Sequence, residues 1–374
     1  MSVYYTKEDY TFHSIKDELK PTICKSCIAD GHRIYGTCAE CLKNQAYNKE
    51  YCETHLFKGS TEVADYHSSD NDTLKCVPYR MHGERPYLYY GFELEIGFDE
   101  DMLQVVKYDD YDERVLSDDC MEMLEAFEEA TGGIFAKEFD STVHNGIEFI
   151  SRPMPYETII DKDTVGKLEA GLKVLKDYGA LLDQPDGHGM HIHISKKFFD
   201  FDSNGRNNDA ERAYKDMDWL FQFYQPELEK LGGREYREFC DSKIMKLKQR
   251  YGIGRVCCNE YYADLKLTGT MKKGGEMADG DHRNAIIKSG RTIEARIFHS
   301  TVDIEQILAN IELVRNFAHA VRDESTTGKT LNEILHTKDN LYLDKLIDKV
   351  RKRCFKSKQE FNLDKVVEEE MEIK

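Results

Sequence analysis

The sequence predicts an α+β fold, a curved, mostly antiparallel sheet backed by helices. Three observations carry that expectation. Four short segments alternate apolar with polar residues, as strands with one covered face do. Longer segments repeat apolar residues at helical spacing. The polar positions of the strands are carboxylates, imidazoles and an arginine, with little of the Lys, Thr and Gln mixture of a merely solvated face.

Taken in order, residues 20–57 read as a compact cysteine-rich module and 58–86 as a linker. Residues 87–98 (YLYYGFELEIGF) form an aromatic-rich strand. The strongly acidic stretch 99–119 reads as a loop or irregular insertion, and 117–130 as a short helix capped by Ser117 and stopped by Gly132-Gly133. Residues 134–140 and 146–151 pair as strands around a turn at His144-Asn145. A helix over 161–178 carries Val165, Leu168, Leu172 and Leu175 on one side, and 190–195 is again a strand. Residues 208–231 read as one long amphipathic helix with Trp219, the single tryptophan, in the core. The Gly-rich segment 271–281 reads as a mobile loop, 284–288 and 291–298 as the last strands, and 303–322 as a helix carrying Ile307, Ile311, Val314 and Phe317. Residues 323–374 form C-terminal helices and a charged tail, solvated or disordered after Lys356.

Composition narrows the function. A chain of 374 residues with 40% hydrophobic and 33% charged content suits a globular protein with one large domain and an accessory module. No apolar run is long enough to span a bilayer, and the amino-terminal segment lacks the apolar core of a secretory signal, so a cytoplasmic location is expected. A net charge of -18 argues against a general nucleic-acid coat. Six of the 11 cysteines fall within the first 76 residues at short spacings, which in a cytosolic chain favours metal binding over disulfides.

Residues two apart on a strand share a face. Glu93 and Glu95 therefore point one way and Phe92, Leu94 and Ile96 the other; Glu148 is set against Ile147 and Phe149. His191 and His193 are likewise set against Ile192 and Ile194, and Glu294 and Arg296 against Ile293, Ala295 and Ile297. A single Glu-x-Glu pair is more often solvent-facing than ligating, and a single His-x-His pair is as often structural. Four such faces together are another matter: clustered carboxylates repel unless a cation or a raised pKa relieves them. Hard oxygen and imidazole donors suit magnesium or manganese, with ATP phosphates completing the shell. Arg296, a permanently charged fork, suits a phosphoryl group or a carboxylate.

These residues also match a family. The run Gly187-His188-Gly189-Met190-His191-Ile192-His193-Ile194-Ser195 resembles the glutamine synthetase strand with Met-His-x-His. Arg291-Thr292-Ile293-Glu294-Ala295-Arg296 is similar to the strand of that superfamily with Ile-Glu-x-Arg, and Gly91-Phe92-Glu93-Leu94-Glu95 to its opening strand. With Asp140-Ser141 and the run 146–153 (GIEFISRP), the order resembles the amidoligases, carboxylate-amine ligases common in bacteriophage genomes and related to glutamate-cysteine ligases. The resemblance covers about residues 87–322 and implies a glutamine synthetase-like sheet, ATP and Mg2+ (or Mn2+) as cofactors, and carboxylate and amine substrates. It implies Glu93, Glu95, Glu148, His191 and Glu294 as metal ligands and His193 as a nucleotide or substrate contact. Arg296 and Arg291 would hold phosphate, and Asp140 would serve as a substrate contact or base. Ala295 departs from the aromatic usual at that position.

Cys24-x2-Cys27, Cys38-x2-Cys41 and Cys52-x2-His55 are three evenly spaced ligand pairs. Two such pairs make a tetrahedral zinc site, and so short a segment has little core of its own. The first and second pairs can form a ribbon; equally, the first and third can share an ion while Cys38 and Cys41 recruit His32, His67 or Cys76. Either way a Zn2+ module that is structural or docks a protein partner is expected. Rival readings of the whole chain are a metallohydrolase using the same Glu/His set, which needs neither ATP nor Arg296, and a silent scaffold. Cys240, Cys257 and Cys258 accompany no recognisable base and read as structural or incidental.

Overall fold

The computed structural model describes residues 3–5, 12–14, 63, 88–107, 112–139, 145–182, 188–200, 210–234, 286–288, 292–323, 326 and 328–366. The cysteine-rich module, the segment 271–281, Asp140 and Arg291 lie outside them. The chain divides into two compact units, Met1–His188 and Gly189–Lys374, and its described pairings within each are antiparallel.

In the first unit a small pair, β1 (Val3–Tyr5) and β2 (Phe12–Ser14), precedes the main elements. The sheet consists of β3 (Tyr90–Gly97) and two strands added on one side in the order β6 (Phe135–Glu138), β7 (Gly146–Ser151), β3. The acidic stretch after β3 is an antiparallel hairpin, β4 (Leu103–Lys107) with β5 (Asp112–Leu116), and not an irregular insertion. Its apolar Leu103, Val105, Val106, Val115 and Leu116 supply the strand character that the surrounding Asp and Glu residues disguise.

Helix α1 (Asp118–Thr131) begins where Ser117 accepts the Cys120 N–H at 3.1 Å, and ends at Gly132 with φ 61°. After the short α2 (Tyr156–Ile159), helix α3 (Lys162–Asp177) starts on the Asp161 cap. The two long helices meet at Gly171, where a Cβ would come 2.4 Å from Thr131 Cγ2. Phe127 of α1 reaches the apolar face of the sheet at Phe135 and Phe149, with ring centroids 5.3 and 4.7 Å apart. One charged pair is buried in this layer. Lys137, on the same face as Phe149, bonds Glu128 of α1, and burial pushes its pKa below the ordinary lysine value despite the raising effect of that carboxylate.

In the second unit the sheet order is β8 (Gly189–Ser195), β10 (Thr292–His299), β9 (Ile286–Lys288). The short α4 (Lys197–Asp200) follows β8. The expected long helix is two helices, α5 (Ala210–Phe223) and α6 (Gln225–Gly232), because Pro226 cannot donate an amide bond and crowds the preceding turn. Trp219 is half-buried beside Phe223; Met217, Leu220, Phe221 and Tyr224 are the core residues of α5 and the break.

Helix α7 (Ile304–Asp323) buries Ile307, Ile311, Val314 and Phe317 as its spacing predicts. Then α8 (Leu331–Leu335) opens on a Thr330–Glu333 capping box, and α9 (Leu343–Ser357) starts where buried Glu312 accepts the N–H groups of Leu341, Tyr342 and Leu343. The described tail through Val366 is docked, contrary to expectation. Leu363 is buried, Lys365 Nζ donates to the Phe223 carbonyl at 2.9 Å and stands over the Phe223 ring, and Tyr224 donates to the Lys365 carbonyl.

Candidate active site

In the first unit, the register places Glu95 directly across from Glu148, and Glu148 directly across from Glu138. Cross-strand partners share a face, so three carboxylates form a row on the side of the sheet away from Phe127 and α1. Glu93, two residues before Glu95, joins that side, and its carboxylate lies within 4.8 Å of that of Glu148. The face is not a solvated one. Glu138, Glu95 and Glu148 are 0%, 5% and 5% exposed, which overturns the water-facing reading of an amphipathic strand. Buried ionised carboxylates this close repel, and a bound cation is the ordinary relief.

Gly97, at the end of β3, serves the same region by having no side chain. A Cβ there would come 2.3 Å from the ring of His188, whose Nδ1 is 3.1 Å from the Leu181 carbonyl oxygen.

In the second unit, His193 and Glu294 are directly paired across β8 and β10, with ligand atoms within 4.8 Å of each other. His191 Nδ1 lies 3.4 Å from Glu294 Oε1, and Arg296 Nη1 donates to that same oxygen at 2.5 Å. The His193 ring is held by Thr292 Oγ1, 3.1 Å from Nδ1. That contact orients the imidazole as outer-shell hydrogen bonds orient ligating histidines. Register slips by one residue between Ala295 and Phe298, so Arg296 and Ile297 together oppose His191. Such a bulge re-aims a side chain. Here it keeps Arg296 on the Glu294 side of the strand, which simple alternation also required.

Within each unit, therefore, the structure gathers the residues expected to act together: Glu93, Glu95 and Glu148 in the first, His191, His193, Glu294 and Arg296 in the second. Hard carboxylate oxygens and imidazole nitrogens in buried positions fit magnesium or manganese. A carboxylate has two oxygens, so Glu294 can accept from Arg296 with one and ligate with the other. Asp140 and Arg291 lie outside the described residues, as do Cys24, Cys27, Cys38, Cys41, Cys52 and His55.

Sequence reasoning misses three residues. Glu138 is legible, because it is two residues before Asp140 on a recognised strand, but only the register shows that it stands across from Glu148. Thr292 is legible by alternation with Glu294. Arg234, just past the end of α6, carries no local signal, yet its guanidinium lies against Gly189 of β8.

The hollow of about 590 Å³ lined by Ala130, Asp161, Lys162, Asp163, Gly166, Lys167 and Ala170 belongs to α1 and the start of α3, the helical layer, and holds none of these groups. No helix among the described residues is long and apolar enough to cross a membrane.

No curated protein matches the chain closely enough to count as a relative. Residues 54–318, well over half of the chain and spanning both the acidic and the imidazole strands, match the family described as "putative amidoligase enzyme", and the chain belongs to that family.

Proposed function

We propose that the protein is an ATP-dependent carboxylate-amine ligase that forms an amide bond through an acyl phosphate. The single observation that carries this reading is the burial of Glu95, Glu148, His191 and Glu294 on the polar faces of their strands, with Arg296 on Glu294. Family membership makes ligation the class of reaction to expect. In this reading Glu93, Glu95, Glu148, His191 and Glu294 are ligands of magnesium or manganese, the role that the resemblance gives them. When bound, the metal neutralises the polyphosphate of ATP.

The chemistry has two steps. A carboxylate oxygen of the substrate attacks the γ-phosphorus of ATP, the bond to the β-phosphate oxygen breaks, and ADP leaves. The amine then attacks the acyl carbon, the carbon-nitrogen bond forms, phosphate departs, and the amine loses a proton. Arg296 is placed to hold the anionic oxygens of the transferred group, because a guanidinium matches them with two parallel donors. His193, oriented by Thr292, contacts the nucleotide or substrate. Asp140 and Arg291 keep the substrate and phosphate roles that the resemblance gives them.

Carboxylate-dependent ADP release tests the reading. Glu294→Ala or His191→Ala should lower it by about two to three orders of magnitude, a size expected when preorganised charge at a reacting group is lost. Unchanged turnover in either purified variant contradicts the assignment. A metallohydrolase would need neither ATP nor Arg296, so binding of nucleotide separates the two enzymes.

The cysteine-rich segment is proposed to bind structural zinc through two or more of the pairs Cys24/Cys27, Cys38/Cys41 and Cys52/His55, and to dock a protein partner. At least one equivalent of zinc should copurify with the full chain and fall in a Cys24→Ser/Cys27→Ser variant. Zinc-free protein of normal stability would remove the module.

A further inference from the structure

We propose that the outward face of α9 docks an acidic helix of a partner protein, whose carboxylates lie along a stripe of lysines and whose apolar side chains cover Phe355; this does not rest on the ligase reading above. The helix buries Leu343, Leu346, Ile347, Val350 and Cys354. On the opposite side Lys345, Lys349, Lys352 and Lys356 follow one another at steps of four, three and four residues, all exposed. Such steps keep side chains in line along a helix, so the stripe runs for about 17 Å. The family match ends at residue 318, well before it.

Lysines three and four apart repel one another, and a solvated helix face ordinarily relieves this by interleaving carboxylates at the same spacing. Helix α9 does so only in its first turns, where Asp344 and Asp348 lie. From Lys349 to Lys358 there are six cations and no carboxylate, in a chain whose net charge is -18. A cation in the last turn offsets the helix dipole, which accounts for Lys356 but not for Lys349 or Lys352. Lys345 shows what the stripe takes: its Nζ meets the carboxylate of Glu305 on α7 at 2.7 Å. Among the described residues, the side chains of Lys349, Lys352 and Lys356 have no such carboxylate. An exposed apolar side chain on its own is ordinary. Phe355, however, is 86% exposed, more than any other large apolar side chain among the described residues, and follows Lys352 by three positions on the flank of the stripe. An aromatic ring beside a row of cations has the makeup of a contact with an apolar centre and a charged rim.

Charge complementarity selects the occupant. A second copy laid on this face would set lysine against lysine. A nucleic acid or an anionic membrane extends far beyond about 17 Å and brings its phosphates against an acidic chain, which repels them outside the stripe. An acidic helix matches the stripe in length and in spacing, as the charged flanks of paired helices do.

Fluorescence anisotropy of the full chain with a labelled amphipathic peptide tests this. The peptide carries glutamates at steps of four, three and four with leucines beside them, and its control has the same composition in scrambled order. The designed peptide should bind about tenfold or more tighter than the control, and Lys349→Gln/Lys352→Gln should weaken it about tenfold. Phe355→Ser should weaken it about threefold or more. The melting temperature should be unchanged in both variants, because these side chains are exposed. Equal binding of the two peptides, or unchanged affinity in either variant, overturns the proposal. So does a single-stranded RNA or a phosphatidylserine vesicle that binds more tightly than the peptide and is lost in Lys349→Gln/Lys352→Gln, which would assign the stripe to phosphates. A rise in peptide affinity of about tenfold in Glu368→Gln/Glu369→Gln/Glu370→Gln would overturn it as well, since the acidic end of the chain itself would then be the occupant.

Discussion

Glu294 Oε1 accepts from Arg296 at 2.5 Å and lies 3.4 Å from His191 Nδ1, so one carboxylate oxygen organises both a guanidinium and an imidazole. Its counterpart in the other unit is Glu148, flanked in register by Glu95 and Glu138. These alternating positions are legible in the sequence, because a period of two assigns faces without knowing what covers them. Burial is not legible there: nothing local distinguishes a carboxylate facing water from one facing a metal. Lys137 shows the same limit from the opposite side. It sits beside Glu138 in the chain but on the helix face, bonded to buried Glu128, and burial lowers its pKa. Folding therefore disfavours the ammonium. The cost is present in full below the folded pKa and is relieved as pH rises from there towards about 10.5, since over that window the unfolded chain binds the additional proton. Relative to a Lys137→Met/Glu128→Leu double variant, the natural protein should gain stability across that window in denaturant titrations. The double variant should be as stable at neutral pH or more so, by roughly 1–4 kcal/mol. A stability difference independent of alkaline pH would show that Lys137 does not titrate as described.

At the scale of elements, helix boundaries are legible wherever a cap or stop residue signals them: Ser117, Gly132 and Asp161 all stand where α1 and α3 begin or end. The hairpin 103–116 is hidden by its acidity, and the break at Tyr224 is hidden by an amphipathic pattern that continues across Pro226. Periodicity reports which residues are apolar, whereas a proline reports which amide is missing, and at Pro226 the second fact governs. The docking of α6 on β10 depends on a contact no pattern encodes. Gly232→Ala would push a Cβ against the Ile297 carbonyl and should cost about 2–3 kcal/mol by chemical denaturation, as overpacking against backbone does. Gly166→Ala on α3 meets nothing within 4 Å and should instead stabilise by about 0.5–1 kcal/mol. Equal effects at the two positions would mean that α6 does not pack as closely as its glycine implies.

For the whole molecule, the family match spans 54–318 and so includes every strand that carries a proposed ligand. The order of those strands along the chain makes the resemblance legible, since no single Glu-x-Glu or His-x-His motif is specific. The zinc module is proposed from the ligand spacing of the cysteine-rich segment. The buried carboxylates and imidazoles are proposed to hold a divalent cation. Electron paramagnetic titration with Mn2+ measures this most directly on the full chain, comparing Glu148→Ala and His191→Ala with the unaltered protein. Each substitution should weaken high-affinity Mn2+ binding by about tenfold or more, as loss of a ligand does. Tight Mn2+ binding that survives either substitution, or none in the unaltered protein, would contradict it.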